Sequence, residues 1–196
     1  MPAEAVRSTP AEAVPSRPPK PSRLAPKAFP ALSAKAVRAM NAAACELILA
    51  LDVPDLSAAE AFLERTGPRL RWVKIGLQLY LRHGPSIVER LAARGLNIFL
   101  DLKLHDIPNT VAAAVGALGG LPVQLLTIHA SGGLEMMQAA RNRAADALPG
   151  ARVVGVTVLT SMDAPALAAT GVPAEPLEQV RRLAHLSAQA GLHGIV

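Results

Sequence analysis

A single cysteine, Cys45, occurs in the 196 residues, so no intrachain disulfide can form, and with no histidine near it in sequence a small reduced thiol is expected rather than a catalytic one. Aromatic residues make up 3% of the chain, too few to interleave with basic side chains as a stacking platform for single-stranded nucleic acid. The apolar runs fall well short of the roughly 20 residues a membrane-spanning helix needs, so no membrane partner is expected. His83, His185 and His193 share no metal-ligand spacing with one another or with Cys45, and no metal site is predicted. Together these absences describe a reduced intracellular protein, placed in the cytoplasm.

The net charge of +5 hints at nucleic acid, but its distribution argues against it. Seven of the 20 basic residues and two of the 15 acidic ones fall in residues 1–45, which therefore carry the whole excess; the remainder holds 13 of each sign. The basic character belongs to a tail. That tail is rich in proline and alanine, most densely in PSRPPKPSR (Pro15 to Arg23). Proline at this frequency denies both helix and ladder hydrogen bonds, so residues 1–45 are predicted to be a disordered extension, with a short helix over Ser33 to Ala44. No continuous apolar core of a secretory signal is present, and the early glutamates and prolines suit a transit peptide poorly. A solvated extension, or an upstream start-site misassignment, is the simpler reading.

From Glu46 the pattern changes. ELILALDV (Glu46 to Val53), RWVKIG (Arg71 to Gly76), NIFLDLK (Asn97 to Lys103) and QLLTIHA (Gln124 to Ala130) read as strands, and RVVGVTVLTSM (Arg152 to Met162) as a fifth strand with its loop. LHGIV (Leu192 to Val196) begins a sixth. Helical stretches lie between them, the first expected to start at a capping box formed by Ser57 and Glu60 and to stop at Gly67. Regular strand–helix alternation implies parallel strands with right-handed crossovers. Asp52, Lys74, Asp101 and His129, at successive strand ends, are 22, 27 and 28 residues apart. Polar ends on successive parallel strands suit a (β/α)8 TIM barrel, whose active site gathers at that rim. An open doubly wound sheet would carry a glycine-rich first turn, and Asp52-Val53-Pro54-Asp55 is not one. Eight units at roughly 25 to 30 residues each exceed this chain by about 50 residues. The expectation is therefore a partial barrel domain over 46–196 that holds about the first six strands.

The most informative stretch is Asn97 to Thr110, NIFLDLKLHDIPNT. Its apolar opening suits a strand buried on both faces, and the alternation that follows puts Asp101 and Lys103 on one side and the leucines on the other. Two opposite charges inside such a strand are costly unless they pair or meet a polar ligand. Asp106 follows where the strand ends. Two acids and one amine within six positions mark a site, with a structural ion pair as the plainer alternative.

Five segments then carry a resemblance: LALD (Leu49 to Asp52), VKIG (Val73 to Gly76), DLKLHDIPNT (Asp101 to Thr110), IHASGG (Ile128 to Gly133) and VTVLTSM (Val156 to Met162). In order and spacing they resemble orotidine 5′-phosphate decarboxylases of the bacterial type, over about Leu47 to Val196. The magnesium-binding sugar-phosphate lyases of the same superfamily share the Asp-x-Lys-x-x-Asp core but not the continuation at Ile107, Pro108 and Thr110. The resemblance implies a carboxy-lyase that converts orotidine 5′-phosphate to UMP without metal or organic cofactor. It implies an alternating charge array of Lys74, Asp101, Lys103 and Asp106, with Lys103 donating the proton to C6. Asp52 and Lys74 are implied to hold the ribose hydroxyls, and Thr160 to contact the base. Asp106, Ile107 and Thr110 are implied to reach across a homodimer interface into the neighbouring site. In the family the substrate phosphate is held after strands seven and eight, beyond the last residue here, so the chain as written is expected to lack that grip. The alternatives are a non-catalytic fragment or interaction subunit, and a magnesium-dependent keto-sugar-phosphate lyase. His105 and His129 are read as more often structural than chemical, and Gly132-Gly133 as a tight turn rather than an anion nest.

Overall fold

The computed structural model describes residues 46–196 apart from Pro68 and Ala174. Expectations that fall on residues 1–45, including Cys45 and the short helix, lie outside the described residues.

Among the described residues, six strands form one sheet in strictly sequential order, every neighbouring pair parallel. They are β1 (Ile48–Ala50), β2 (Trp72–Gly76), β3 (Asn97–Leu104), β4 (Leu125–His129), β5 (Arg152–Val156) and β6 (Gly194–Ile195). Among the described residues, seven α-helices connect them: α1 (Leu56–Thr66), α2 (Leu77–His83), α3 (Ser86–Ala92), α4 (Pro108–Ala117), α5 (Gly133–Ala147), α6 (Ala164–Ala169) and α7 (Pro176–Gln189). Among the described residues β1 and β6 do not pair with each other. This is a partial (β/α)8 barrel comprising six strands, as the strand–helix alternation predicts.

The two faces of the sheet separate by residue type. Val73 and Ile75 of β2, Ile98 and Leu100 of β3, and Leu126 and Ile128 of β4 are fully buried and pack against the helical layer. Their sequence neighbours Lys74, Asp101 and Thr127 point the opposite way, into the concave interior, because successive side chains of a strand alternate. The helices approach closely where glycine permits. A Cβ added to Gly155 of β5 would lie 2.6 Å from Oγ of Ser187 on α7 and 3.1 Å from Cδ1 of Leu192. Ser187 is buried and its hydroxyl donates to the Leu183 carbonyl at 2.8 Å, so it has little room to yield. Gly155→Ala is expected to destabilise by about 2 kcal/mol, or about 4–8 °C in Tm. Pairing it with Ser187→Ala should recover most of that loss in a thermal melt; equal melts for single and double variants would refute the contact.

Two local expectations differ from the observed chain. The first helix is capped by Asp55, whose Oδ1 accepts from the Ala58 amide at 2.9 Å, and not by Ser57. A carboxylate there also meets the positive end of the helix dipole. Glu60, freed from a capping box, pairs instead with Arg90 of α3 at 2.8 Å. The second difference lies in β3. It pairs with β4 at Leu100↔Leu126 and next at Leu104↔Ile128, so four steps along β3 match two along β4. The strand therefore bulges across residues 101–103 instead of alternating regularly to its end.

Candidate active site

The rim at the carboxyl ends of β1 to β4 gathers the charged residues. Lys74 occupies the last turn of pairing between β1 and β2, opposite Ala50. Its long side chain rises to Asp52, whose Oδ1 lies 3.1 Å from Nζ, and to Asp101, whose Oδ2 lies 3.4 Å away. Gly76, level with Asp101 in the β2–β3 register, leaves the space between them open. A Cβ there would stand 3.8 Å from both Lys74 Nζ and Asp52 Oδ1, so anything larger would crowd the pair. The loop bearing Asp52 is tied down by α2: Arg82 donates to the Pro54 carbonyl at 2.8 Å, and His83 Nε2 accepts from the Leu56 amide at 3.2 Å.

Asp101 is the buried centre of the cluster, 7% exposed. Lys103 Nζ donates to both of its carboxylate oxygens, at 2.8 and 2.7 Å, and the Thr127 hydroxyl donates to Oδ1 at 3.0 Å. Burial by itself would push the Asp101 carboxyl up, but the hydrogen bonds from Lys103 and Thr127, with the charges of Lys103 and Lys74, outweigh it and hold the carboxyl below the usual range. Lys103 itself has φ of +50°, the left-handed region that a side chain enters at a cost of about 1–2 kcal/mol. It is the single non-glycine residue with positive φ among those described. The bulge and this conformation together aim the ammonium back over Asp101.

The other expected residues are placed as follows. Asp106 is exposed, and its Oδ1 accepts from the amide of Ile107 at 2.7 Å. Among the described residues it pairs with neither Lys74 nor Lys103. Ile107 is 66% exposed at the head of α4, and Thr110 is exposed one turn later. Thr160 is exposed in the loop after β5, on the same rim, with no hydrogen bond to the cluster among the described residues. His105 is exposed and His129 half-buried, their ring centroids 5.3 Å apart and tilted by 40°. Burial, then the nearby charges of His105 and Lys103, lower the His129 pKa against the pull of Asp101, which favours a neutral ring. Ala130–Gly132 form a 3₁₀ turn that leads into α5, as the tight-turn reading expects.

Thr127 is the residue that sequence reasoning missed. Its signal was weak, because threonine in an apolar strand is what strand propensity alone would supply. Among the described residues no group of three or more histidine, cysteine, aspartate or glutamate side chains is arranged to hold a metal ion. No helix there is long and apolar enough to cross a membrane. What the array offers is two ammonium groups and two carboxylates in alternation. Such an array presents fixed positive charge to a developing anion and a proton on the same atom.

Comparison with known proteins adds to this geometry. Residues 46–196 match the family model described as "Orotidine 5'-phosphate decarboxylase / HUMPS family". An orotidine 5′-phosphate decarboxylase of Opitutus terrae is 49% identical over 153 residues, covering 78% of this chain and 66% of that protein. The one from Chromohalobacter salexigens is also 49% identical, over 150 residues, covering 76% of this chain and 64% of its own length. The chain thus spans a little under two thirds of these relatives. Among solved structures, orotidine 5′-phosphate decarboxylase from Lactobacillus acidophilus superposes with a TM-score of 0.70 at 31% identity, covering 76% of this chain and 70% of that one. An uncharacterized conserved protein from Geobacillus kaustophilus gives 0.71 at 38%, covering 76% and 71%.

Proposed function

The chain belongs to the orotidine 5′-phosphate decarboxylase / HUMPS family, and from that membership we propose that it removes carbon dioxide from orotidine 5′-phosphate to give UMP, completing pyrimidine nucleotide synthesis. The observation that carries the reading is the Lys103 ammonium bonded to both oxygens of a buried Asp101, with Lys74 against the same carboxylate. The continuation at Ile107, Pro108 and Thr110 argues against the magnesium-binding sugar-phosphate lyases that share the Asp-x-Lys-x-x-Asp core.

In the reaction the bond between C6 and the carboxylate breaks and its electron pair stays on C6. The pyrimidine has no conjugated sink for that pair, so stabilisation must come from the protein. The Lys103 ammonium, held by both oxygens of Asp101, stands as the positive charge beside C6 and then transfers its proton there. Water reprotonates the amine. Arginine would supply the charge but not the proton, since it does not ionise in this range. Lys74 and Asp52 orient the ribose, Thr160 contacts the base, and no cofactor takes part. The active form is a cytoplasmic homodimer in which Asp106, Ile107 and Thr110 complete the partner's site. The exposure of Asp106 and Ile107 supports that assignment. Residues 46–196 form the catalytic segment and 1–45 a basic extension outside it.

The test is the loss of orotidine 5′-phosphate absorbance with purified protein and no added metal. Magnesium-dependent turnover of a keto-sugar phosphate, with none of orotidine 5′-phosphate, would replace this reading with the lyase one. Folded protein inactive on both would assign a non-catalytic interaction role. Subunit sharing is tested by mixing inactive Lys103→Ala and Asp106→Ala proteins. Random re-association makes half of the dimers mixed, each with one intact site, so activity should return to about a quarter of wild type. No recovery, with subunit exchange confirmed by mass, would place both residues in one subunit's site.

A further inference from the structure

We infer that Thr127 is a positioning residue: its hydroxyl ties the Asp101 carboxylate to the Lys103 main chain and so fixes where the Lys103 ammonium stands. The inference rests on the decarboxylase reading for its effect on turnover and on geometry alone for its effect on the charge cluster.

Three observations converge on this side chain. First, Thr127 is fully buried, yet both hydrogen-bonding capacities of its hydroxyl are in use inside the site. Oγ1 accepts from the Lys103 amide at 2.8 Å and donates to Asp101 Oδ1 at 3.0 Å. Second, it sits opposite the β3 bulge. Where Leu100↔Leu126 gives way to Leu104↔Ile128, residues 101–103 of β3 face Thr127 alone. In a regular parallel ladder a main-chain carbonyl would receive the Lys103 amide; here a side chain receives it. Third, that amide belongs to the residue with φ of +50°. A strained left-handed residue persists only when its surroundings hold it there.

The bonds close on themselves. The hydroxyl grips the Lys103 backbone and Asp101 Oδ1, and the Lys103 ammonium returns to both Asp101 oxygens. Backbone, hydroxyl, carboxylate and ammonium therefore move as one unit. Removing the hydroxyl opens this ring at two bonds, leaves the Lys103 amide without its acceptor, and frees the strand to relax toward regular pairing. A displacement of about 1 Å at the reacting atom is enough to cost on the order of 100-fold in rate. Space-filling alone is the rival explanation, and valine, which matches threonine in shape without the hydroxyl, separates the two.

The experiment compares Thr127→Val and Thr127→Ser in the full chain by two independent readouts. One is the carbon-13 titration of the Asp101 carboxyl; the other is steady-state turnover of orotidine 5′-phosphate. In Thr127→Val the Asp101 titration should move upward, as one donor is lost, and kcat should fall by about 10- to 100-fold with KM changed by less than about 3-fold. Thr127→Ser, which keeps the hydroxyl, should return both to near wild type. Should Thr127→Val not fold, Thr127→Ala takes its place, since it differs from Thr127→Ser by the hydroxyl alone. A loss in Thr127→Ser as large as or larger than that in Thr127→Val would mean that the hydroxyl is not what positions the cluster and would overturn the inference. So would an unmoved Asp101 titration in Thr127→Val. A shifted titration in a protein whose wild type does not turn over orotidine 5′-phosphate would leave the Thr127 linkage standing and overturn the decarboxylase reading instead.

Discussion

Lys103→Ala should reduce turnover of orotidine 5′-phosphate by about 10⁴-fold or more, because one atom is asked to supply both the proton and the facing charge. Each role alone is worth on the order of 10² to 10⁴ in rate, and alanine supplies neither. Binding should suffer less than turnover, since the charge that Lys103 opposes develops as the carboxylate departs. Lys103→Arg separates the roles: it keeps the charge and withholds the proton, so it should remain severely impaired. The left-handed backbone at this position allows a further comparison. Lys103→Gly loses the same ammonium but adopts φ of +50° without penalty, so it should be more stable than Lys103→Ala by about 1 kcal/mol in urea unfolding. Both should be equally inactive. Full activity in Lys103→Ala would remove Lys103 from the chemistry, and equal stability of the two variants would show that the backbone there is unstrained.

The second large effect belongs to Asp101. Asp101→Asn should lower kcat by about 10³-fold, comparable to removing one preorganised electrostatic partner. It leaves Lys74 and Lys103 facing each other without the anion that holds them in place. The same substitution changes how stability depends on pH. Burial opposes ionisation of Asp101, but Lys103, Thr127 and Lys74 prevail, so its pKa in the folded protein lies below its unfolded value of about 3.9. A group depressed in this way contributes stability that is complete above the unfolded value and is lost as pH falls through the folded one. The wild type should therefore outlast Asp101→Asn in urea near neutral pH, and the gap should close below about pH 4. A gap that stays constant into acid would mean Asp101 is not stabilised as the anion. Retention of full turnover by Asp101→Asn would deny it a role in the reaction.

Most of the scaffold was legible because it rests on two periodicities. Strand positions follow from apolar runs that end in polar residues, and Asp52, Lys74 and Asp101 stand out because charge at a buried strand end has few other uses. The features that escaped depend on tertiary context. Helix α2 begins directly at Gly76 with no capping side chain and stops at Gly84, so it offers no start signal to a reader of sequence. Asp55 outcompetes Ser57 as a cap, although both residue types favour that place. The bulge in β3 breaks an alternation that looked regular, since the left-handed turn at Lys103 is imposed by its partners and not by a glycine. Thr127 was invisible for the same reason: only the bulge gives its hydroxyl something to hold.

The sequential order of the strands also bears on how this protein is made. Among the described residues, each strand from β2 to β6 pairs with the one synthesised just before it. Contacts that are local along the chain close quickly, and a growing polypeptide can settle one βα unit on the last as it leaves the ribosome. Asp52, Lys74, Asp101, Lys103 and Thr127 all belong to the first four strands and the loop after β1. The whole charge cluster is therefore in hand once β4 has emerged and docked. A pulse-labelling or force-arrest experiment on nascent chains should find these residues protected before β5 is translated. The chemistry would then be laid down early, ahead of the strands that follow it.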